Sequence, residues 1–329
     1  MSLVISENQA LRNQGSAISF ALNLIAIPLC FFCLGMWAHA AAQHRSLPSL
    51  LLGTIKLYGI GILLYAPKQV AATASPDLSA SIQALLWGTG NSLYNTPLWL
   101  LAALAPGLCL YRLSIAGGWP VGKHAWGLLI PLTLIGTSYW LMSLSLVKSY
   151  MPHDAGGQPI GWPLSLDLSP LVASLLLLGA WYQARRQEAP HLIHTRWATS
   201  LSMLVASVTF LVMLRFDPAL DLNYRMIQSW PAALLATLLG ITMCVTASQL
   251  LCTKVCKARH PLALLGRNGL IILLVFAPIQ NAVINALPAH AQQSPTTVVA
   301  ASIILCLLIA GLWQHVVNRH SLIKRIAYV

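Results

Sequence analysis

The stretch SWPAALLATLLGITMCVTASQLLC, residues 229–252, holds no charged side chain, and the stretch that follows it, TKVCKARHPL at 253–262, holds Lys254, Lys257 and Arg259 and no acid. An uncharged run of this length exceeds the roughly 20 residues a helix needs to cross a hydrocarbon core. Cations packed just beyond such a run mark the cytoplasmic side, because Lys- and Arg-rich loops resist translocation. Working outward in both directions, the same unit recurs. Apolar runs lie at about 16–38, 48–66, 96–113, 125–146, 169–184, 197–214, 229–252, 263–287 and 297–318. The weakest is 169–184, whose apolar core is short. Pro131 and Pro278 fall inside runs and predict kinks that neighbouring helices can support.

The connections alternate in charge. Arg45 marks 39–47, Arg112 and Lys123 mark 112–124, and Arg185, Arg186 and Arg196 outweigh Glu188 in 185–196. The tail carries Arg319, Lys324 and Arg325. Between these lie connections without a basic excess. Lys68 faces Asp77 in 67–95, Lys148 faces Asp154 and Asp167 in 147–168, and Arg215 and Arg225 balance Asp217 and Asp221 in 215–228. The stretch 288–296 has no Lys or Arg. The expected architecture is an all-α polytopic transmembrane helix bundle of about nine spans, with the C-terminus cytoplasmic and the N-terminus outside.

Composition agrees. Of 329 residues, 57% are hydrophobic and only 8% are charged, against about 25% charged in soluble chains; the mean hydropathy is +0.71. This excludes an ordinary soluble enzyme, a disordered chain and a nucleic-acid-binding module. The net charge of +12 then reads as membrane orientation. The outer connections 67–95 and 147–168 lack a disordered-linker composition, so residues 1–329 are expected to form one membrane-embedded domain.

Charges within apolar runs are costly and mark candidate sites. Lys56 sits about eight residues into the second run, and Arg267, in Gly266-Arg267-Asn268-Gly269, lies just inside the cytoplasmic end of the eighth. Together they could hold an anionic group such as the phosphates of a nucleotide cofactor; the plain alternative is that their long stems snorkel to the interface. Asn23, Gln280, Asn281 and Asn285 add polarity inside runs and either join helices or line a substrate path. None of the ten histidines is deep in a run. Cys252, Cys256 and His260 share a helical face but lack a fourth ligand, so no metal site is expected. Cys30 and Cys33, in apolar sequence, are expected to pack as small hydrophobes in the core.

Three segments, taken in order, resemble acyltransferase family 3 of integral membrane proteins. They are Ile27–Trp37 (IPLCFFCLGMW), Thr96–Leu104 (TPLWLLAAL), and Leu265–Ile272 (LGRNGLII) with Pro278-Ile279. The resemblance covers most of the chain. It implies a ten-helix bundle in the bacterial inner membrane, and transfer of an acyl group, usually acetyl, from acyl-CoA to a hydroxyl of an envelope glycan or lipid-linked saccharide. Lys56 and Arg267 would then be donor-side contacts to the CoA phosphates, with Asn268 supporting them. The chain departs from the family at decisive positions. The family's first helix carries a basic residue and, eleven positions on, the His regarded as catalytic; no such helix precedes residue 16 here. Nine spans are ten without that first helix. The family's second basic position after Lys56 is Gly59, and in the third segment its Ser, Tyr and His are replaced by Gly269, Leu273 and Phe276. Two explanations stand: a first helix encoded upstream of Met1, or a divergent, inactive member acting as a transporter or partner subunit.

Overall fold

The computed structural model describes residues 17–42, 47–72, 87–88, 98–117, 125–147, 161–188, 196–216, 218–222 and 225–254, with scattered positions between 279 and 315. Seven long helices follow one another in these residues: α1 (Ala17–Ala42), α2 (Leu47–Ala72), α3 (Trp99–Ala116), α4 (Leu129–Val147), α5 (Ser169–Glu188), α6 (Arg196–Met213) and α7 (Trp230–Lys254). Each coincides with one of the first seven expected runs. Four of these helical stretches are long and apolar enough to cross a membrane. The runs at 263–287 and 297–318 are described only at isolated positions, all helical.

The chain divides into two units. The larger holds α1, α4, α5, α6, α7 and the end of α3 from Pro106 onward. In it α5 is packed against α1 on one side and α4 on another, while α7 packs on α1 and α6. Gly35 of α1 and Gly179 of α5 make the α1–α5 crossing possible. A Cβ on Gly35 would collide with the Leu176 carbonyl, and one on Gly179 with the Phe32 carbonyl. Small residues let two backbones approach where no side chain intervenes, which is how helices associate when water supplies no driving force. Beyond the crossing, Leu24, Phe210, Ala233 and Ala236 form a buried cluster joining α1, α6 and α7.

The connection 215–228 contains a feature that charge counting passes over. Ala219–Asp221 and Met226–Gln228 pair as a short antiparallel ribbon, with Leu220 opposite Ile227. Its turn closes on Arg225, which has φ +55°, a left-handed backbone uncommon for a residue with a side chain.

Prolines behave according to position. Pro131 lies in the first turn of α4, where a missing N–H costs no helical hydrogen bond, so the kink expected there is not required. Pro28 lies inside α1 and removes the N–H that would bond the Leu24 carbonyl. The Thr237 hydroxyl of α7 donates to that carbonyl at 3.1 Å. An interhelical hydrogen bond thus replaces the lost intrahelical one. Several other hydroxyls in the described helices close on their own backbone. Ser114 bonds the Leu110 carbonyl at 2.9 Å, Ser207 that of Met203 at 2.7 Å and Thr246 that of Thr242 at 2.8 Å.

The smaller unit contains α2, the beginning of α3, Trp162–Leu166 and the segment after Val255. Leu98, Trp99, Leu101, Ala102 and Ala103 are buried in it. Gly88, with φ +63°, lies against the Tyr58 hydroxyl of α2 and Ala102 of α3.

Candidate functional site

The most polar buried centre of the larger unit is one that sequence reasoning missed. Asp167, just before α5, and Arg225, at the ribbon turn, form an ion pair with both side chains 0% exposed. Arg225 Nε donates to Asp167 Oδ2 at 3.0 Å, and Nη2 approaches Oδ1 at 3.5 Å. Arg225 Nη1 donates to the Leu222 carbonyl at 3.1 Å, closing the turn on itself. The left-handed backbone of Arg225 orients its side chain for this pairing. Gly161, with φ +84°, completes the pocket: a Cβ there would stand 2.6 Å from Arg225 Nε. The Ser138 hydroxyl of α4 donates to the Asp167 carbonyl at 2.7 Å, linking a third element.

A buried pair of this kind is expensive to desolvate and stays in place only when its remaining hydrogen bonds are met. Here the guanidinium is met by the Asp167 carboxylate and the Leu222 carbonyl. The arrangement is a clasp between the connection before α5 and the connection before α7, and it presents neither a nucleophile nor an acid–base pair. Its sequence signal was weak. Asp167 precedes Ser169-Pro170 at the head of an apolar run, a position where an anion is favoured by the helix dipole. Nothing local ties it to a cation 58 positions away.

The larger unit also holds a small apolar cavity of about 40 Å³ lined by Pro28, Ile135, Tyr139, Leu171, Trp230 and Thr237, among others. The Tyr139 and Trp230 rings pack at 5.3 Å on its wall. Toward the other end of α5, Gln249 Nε2 donates to the Tyr182 hydroxyl at 2.6 Å, and the Arg185 guanidinium lies over the Trp181 ring at 5.8 Å.

Of the residues singled out by sequence, Lys56 is placed on α2, in the smaller unit, with its side chain exposed. It shares its helical face with Leu52, Ile55, Ile60, Leu63 and Leu64, all exposed. Arg267 and Asn268 lie outside the described residues, as do Gln280, Asn281, Asn285, Cys256 and His260. Cys30 and Cys33 are exposed on α1, not packed in the core. They lie on its outward side, because Gly35 and the buried Phe31 and Phe32 take the inward one. Among the described residues no group of three His, Cys, Asp or Glu side chains is placed to hold a metal ion. No protein-family model, curated protein or solved structure matches the chain.

Proposed function

We propose that the chain is a nine-span membrane protein of the bacterial inner membrane, with its C-terminus cytoplasmic, of acyltransferase family 3 type. In this reading it moves an acyl group, typically acetyl, from acyl-CoA to a hydroxyl of an envelope glycan or lipid-linked saccharide. The observation that carries it is the order of the three motif-like segments at 27–37, 96–104 and 265–279. Two of them fall on helices, the first at the tight α1–α5 crossing through Gly35 and the second at the head of α3. The clasp supports the topology in one respect: Asp167 and Arg225 join two connections that the charge alternation assigns to the same side.

Acyl transfer to a hydroxyl needs a base for the acceptor and cations for the CoA phosphates. Arg267, with Asn268, is assigned to the phosphates, and Lys56 is the second candidate cation. No residue of the chain is assigned as the base. Membranes carrying this chain, supplied with radiolabelled acetyl-CoA, should label envelope glycan above vector-only membranes; equal labelling refutes the enzyme reading. Arg267→Gln should weaken CoA binding by about 1.5–3 kcal/mol, the range for a hydrogen bond to a charged group. A reporter fused within 253–262 should report cytoplasm, and a periplasmic signal refutes the topology.

A second reading has a specific observation in its favour. Lys56 stands among exposed apolar side chains, a setting for a neighbouring helix more than for a soluble cofactor. In this reading the chain is a non-catalytic partner subunit or transporter for a lipid-linked saccharide.

A further inference from the structure

Lys56 lies near the middle of α2. Nine residues separate it from Leu47 and eleven from Pro67, or roughly 13 and 16 Å along a helix. It therefore stands inside the apolar stretch and not at an end of the helix. Leu52 at i−4, Ile60 at i+4 and Leu63 at i+7 stack with it on one face, and they are 49%, 41% and 75% exposed. An ammonium on a lipid-facing surface at this depth costs roughly 2.5–3.5 kcal/mol on insertion scales, and the apolar neighbours offer it no acceptor.

The same face carries a notch. Gly59, one turn from Lys56, has open space where a side chain would project. A gap of that kind lets a second helix approach closely enough for its polar side chains to meet Lys56. What approaches must be anionic at mid-depth, and this sequence has no such group to offer from a second copy. Of its seven acids, Glu7, Asp77, Asp154 and Asp217 lie outside the apolar runs. Asp167 is held by Arg225, Asp221 is in the ribbon, and Glu188 ends α5.

We infer that the Lys56 face of α2 docks a transmembrane helix of another protein that carries an aspartate or glutamate at matching depth. The inference rests on the partner-subunit reading and names the chemistry of the partner. Lys56 supplies the charge complement, Gly59 the close approach, and Leu52, Ile60 and Leu63 the packing surface. An ion pair formed among these apolar side chains favours an acidic helix over an apolar one.

The test uses the full chain, purified, fluorescently labelled and reconstituted in phosphatidylcholine vesicles. The probe is a synthetic Leu/Ala helix long enough to span, with one central Asp, and its twin with Leu at that position. Energy transfer should report roughly tenfold tighter association of the Asp peptide, the size of an interhelical polar contact. Lys56→Gln, which melts at the wild-type temperature because the side chain is exposed, should bring the two peptides to parity. Gly59→Leu should weaken both peptides, and Leu204→Trp on the exposed face of α6 should change neither. Parity in the wild type overturns the inference, as does a preference that survives Lys56→Gln. Self-association abolished by Lys56→Gln would make the occupant a second copy. Phosphatidylglycerol selectivity abolished by the same change, without peptide preference, would make it a lipid headgroup; either overturns the inference. Failure of the wild-type chain to resist alkaline extraction from the vesicles would instead remove the membrane reading, and the inference with it.

Discussion

α5 and α6 are nearly equal in hydropathy, yet 78% of the apolar window of one is buried and only 11% of the other's. Leu175, Leu176 and Leu177 of α5 are each at most 1% exposed. Leu201, Leu204 and Leu211 of α6 are each more than 60% exposed. In water an exposed leucine stripe of that size would mark a binding surface. In lipid it is the ordinary outer wall, because acyl chains are as apolar as leucine. Helix position in such a bundle is decided by what lets backbones meet. α5 has Gly179 under the Phe32 carbonyl, with Ala173, Ala180 and Ala184 buried around it. Among the described residues of α6 only Thr199, Ala206 and Phe210 are buried.

The contrast can be broken from its buried side. The largest effect is expected at the head of α5. Asp167→Asn leaves the Arg225 guanidinium buried without its counter-charge and should cost about 3–5 kcal/mol of stability, measured by unfolding in detergent. Replacing both partners by apolar residues of similar volume should recover most of that loss. A double replacement that costs the sum of the two single ones would show that the pair has no mutual dependence.

Gly179→Val should cost about 3 kcal/mol, the upper end for overpacking, because the obstacle is a backbone carbonyl that no rotamer change avoids. An unchanged melting temperature would mean that α1 and α5 do not cross there. Thr237→Val sharpens the comparison on α7. It keeps the shape but leaves the Leu24 carbonyl, already deprived by Pro28, without a donor, at about 1–2 kcal/mol. Restoring the N–H by Pro28→Ala in the same chain should reduce that penalty. The smallest effect belongs to α6: Leu204→Ala removes an exposed side chain and should stay within about 0.5 kcal/mol. A loss comparable to a core truncation would place a partner on that wall.

Much of the helical layout was legible because it follows from run length. The runs at 16–38, 48–66 and 229–252 became helices Ala17–Ala42, Leu47–Ala72 and Trp230–Lys254. Their order of importance was not legible. The run 169–184, the weakest by apolar length, is the most buried of the four membrane-length helices, packed against α1 and α4. A helix lined by other helices does not have to satisfy lipid along its whole surface, so apolar length measures the wrong property. The cysteines at 30 and 33 misled for a related reason: apolar sequence predicts burial in water, but it is equally at home facing lipid.

Candidate chemistry followed the same division. Lys56 stands out in sequence because a cation in an apolar run is rare, and its helical neighbours could be counted off by period. That those neighbours are exposed, and that the face is a surface, required the packed structure. Asp167 and Arg225 were indistinguishable from ordinary loop charges until folding buried both.

By itself the sequence determined an apolar, multi-helix chain with alternating basic connections, because hydrophobic length and cation placement are local properties that lipid and translocation read directly. Only the tertiary structure decided which helix is most buried, which leucines face outward and which two charges meet. Those depend on glycines and carbonyls brought together from distant parts of the chain, and no local pattern encodes such meetings.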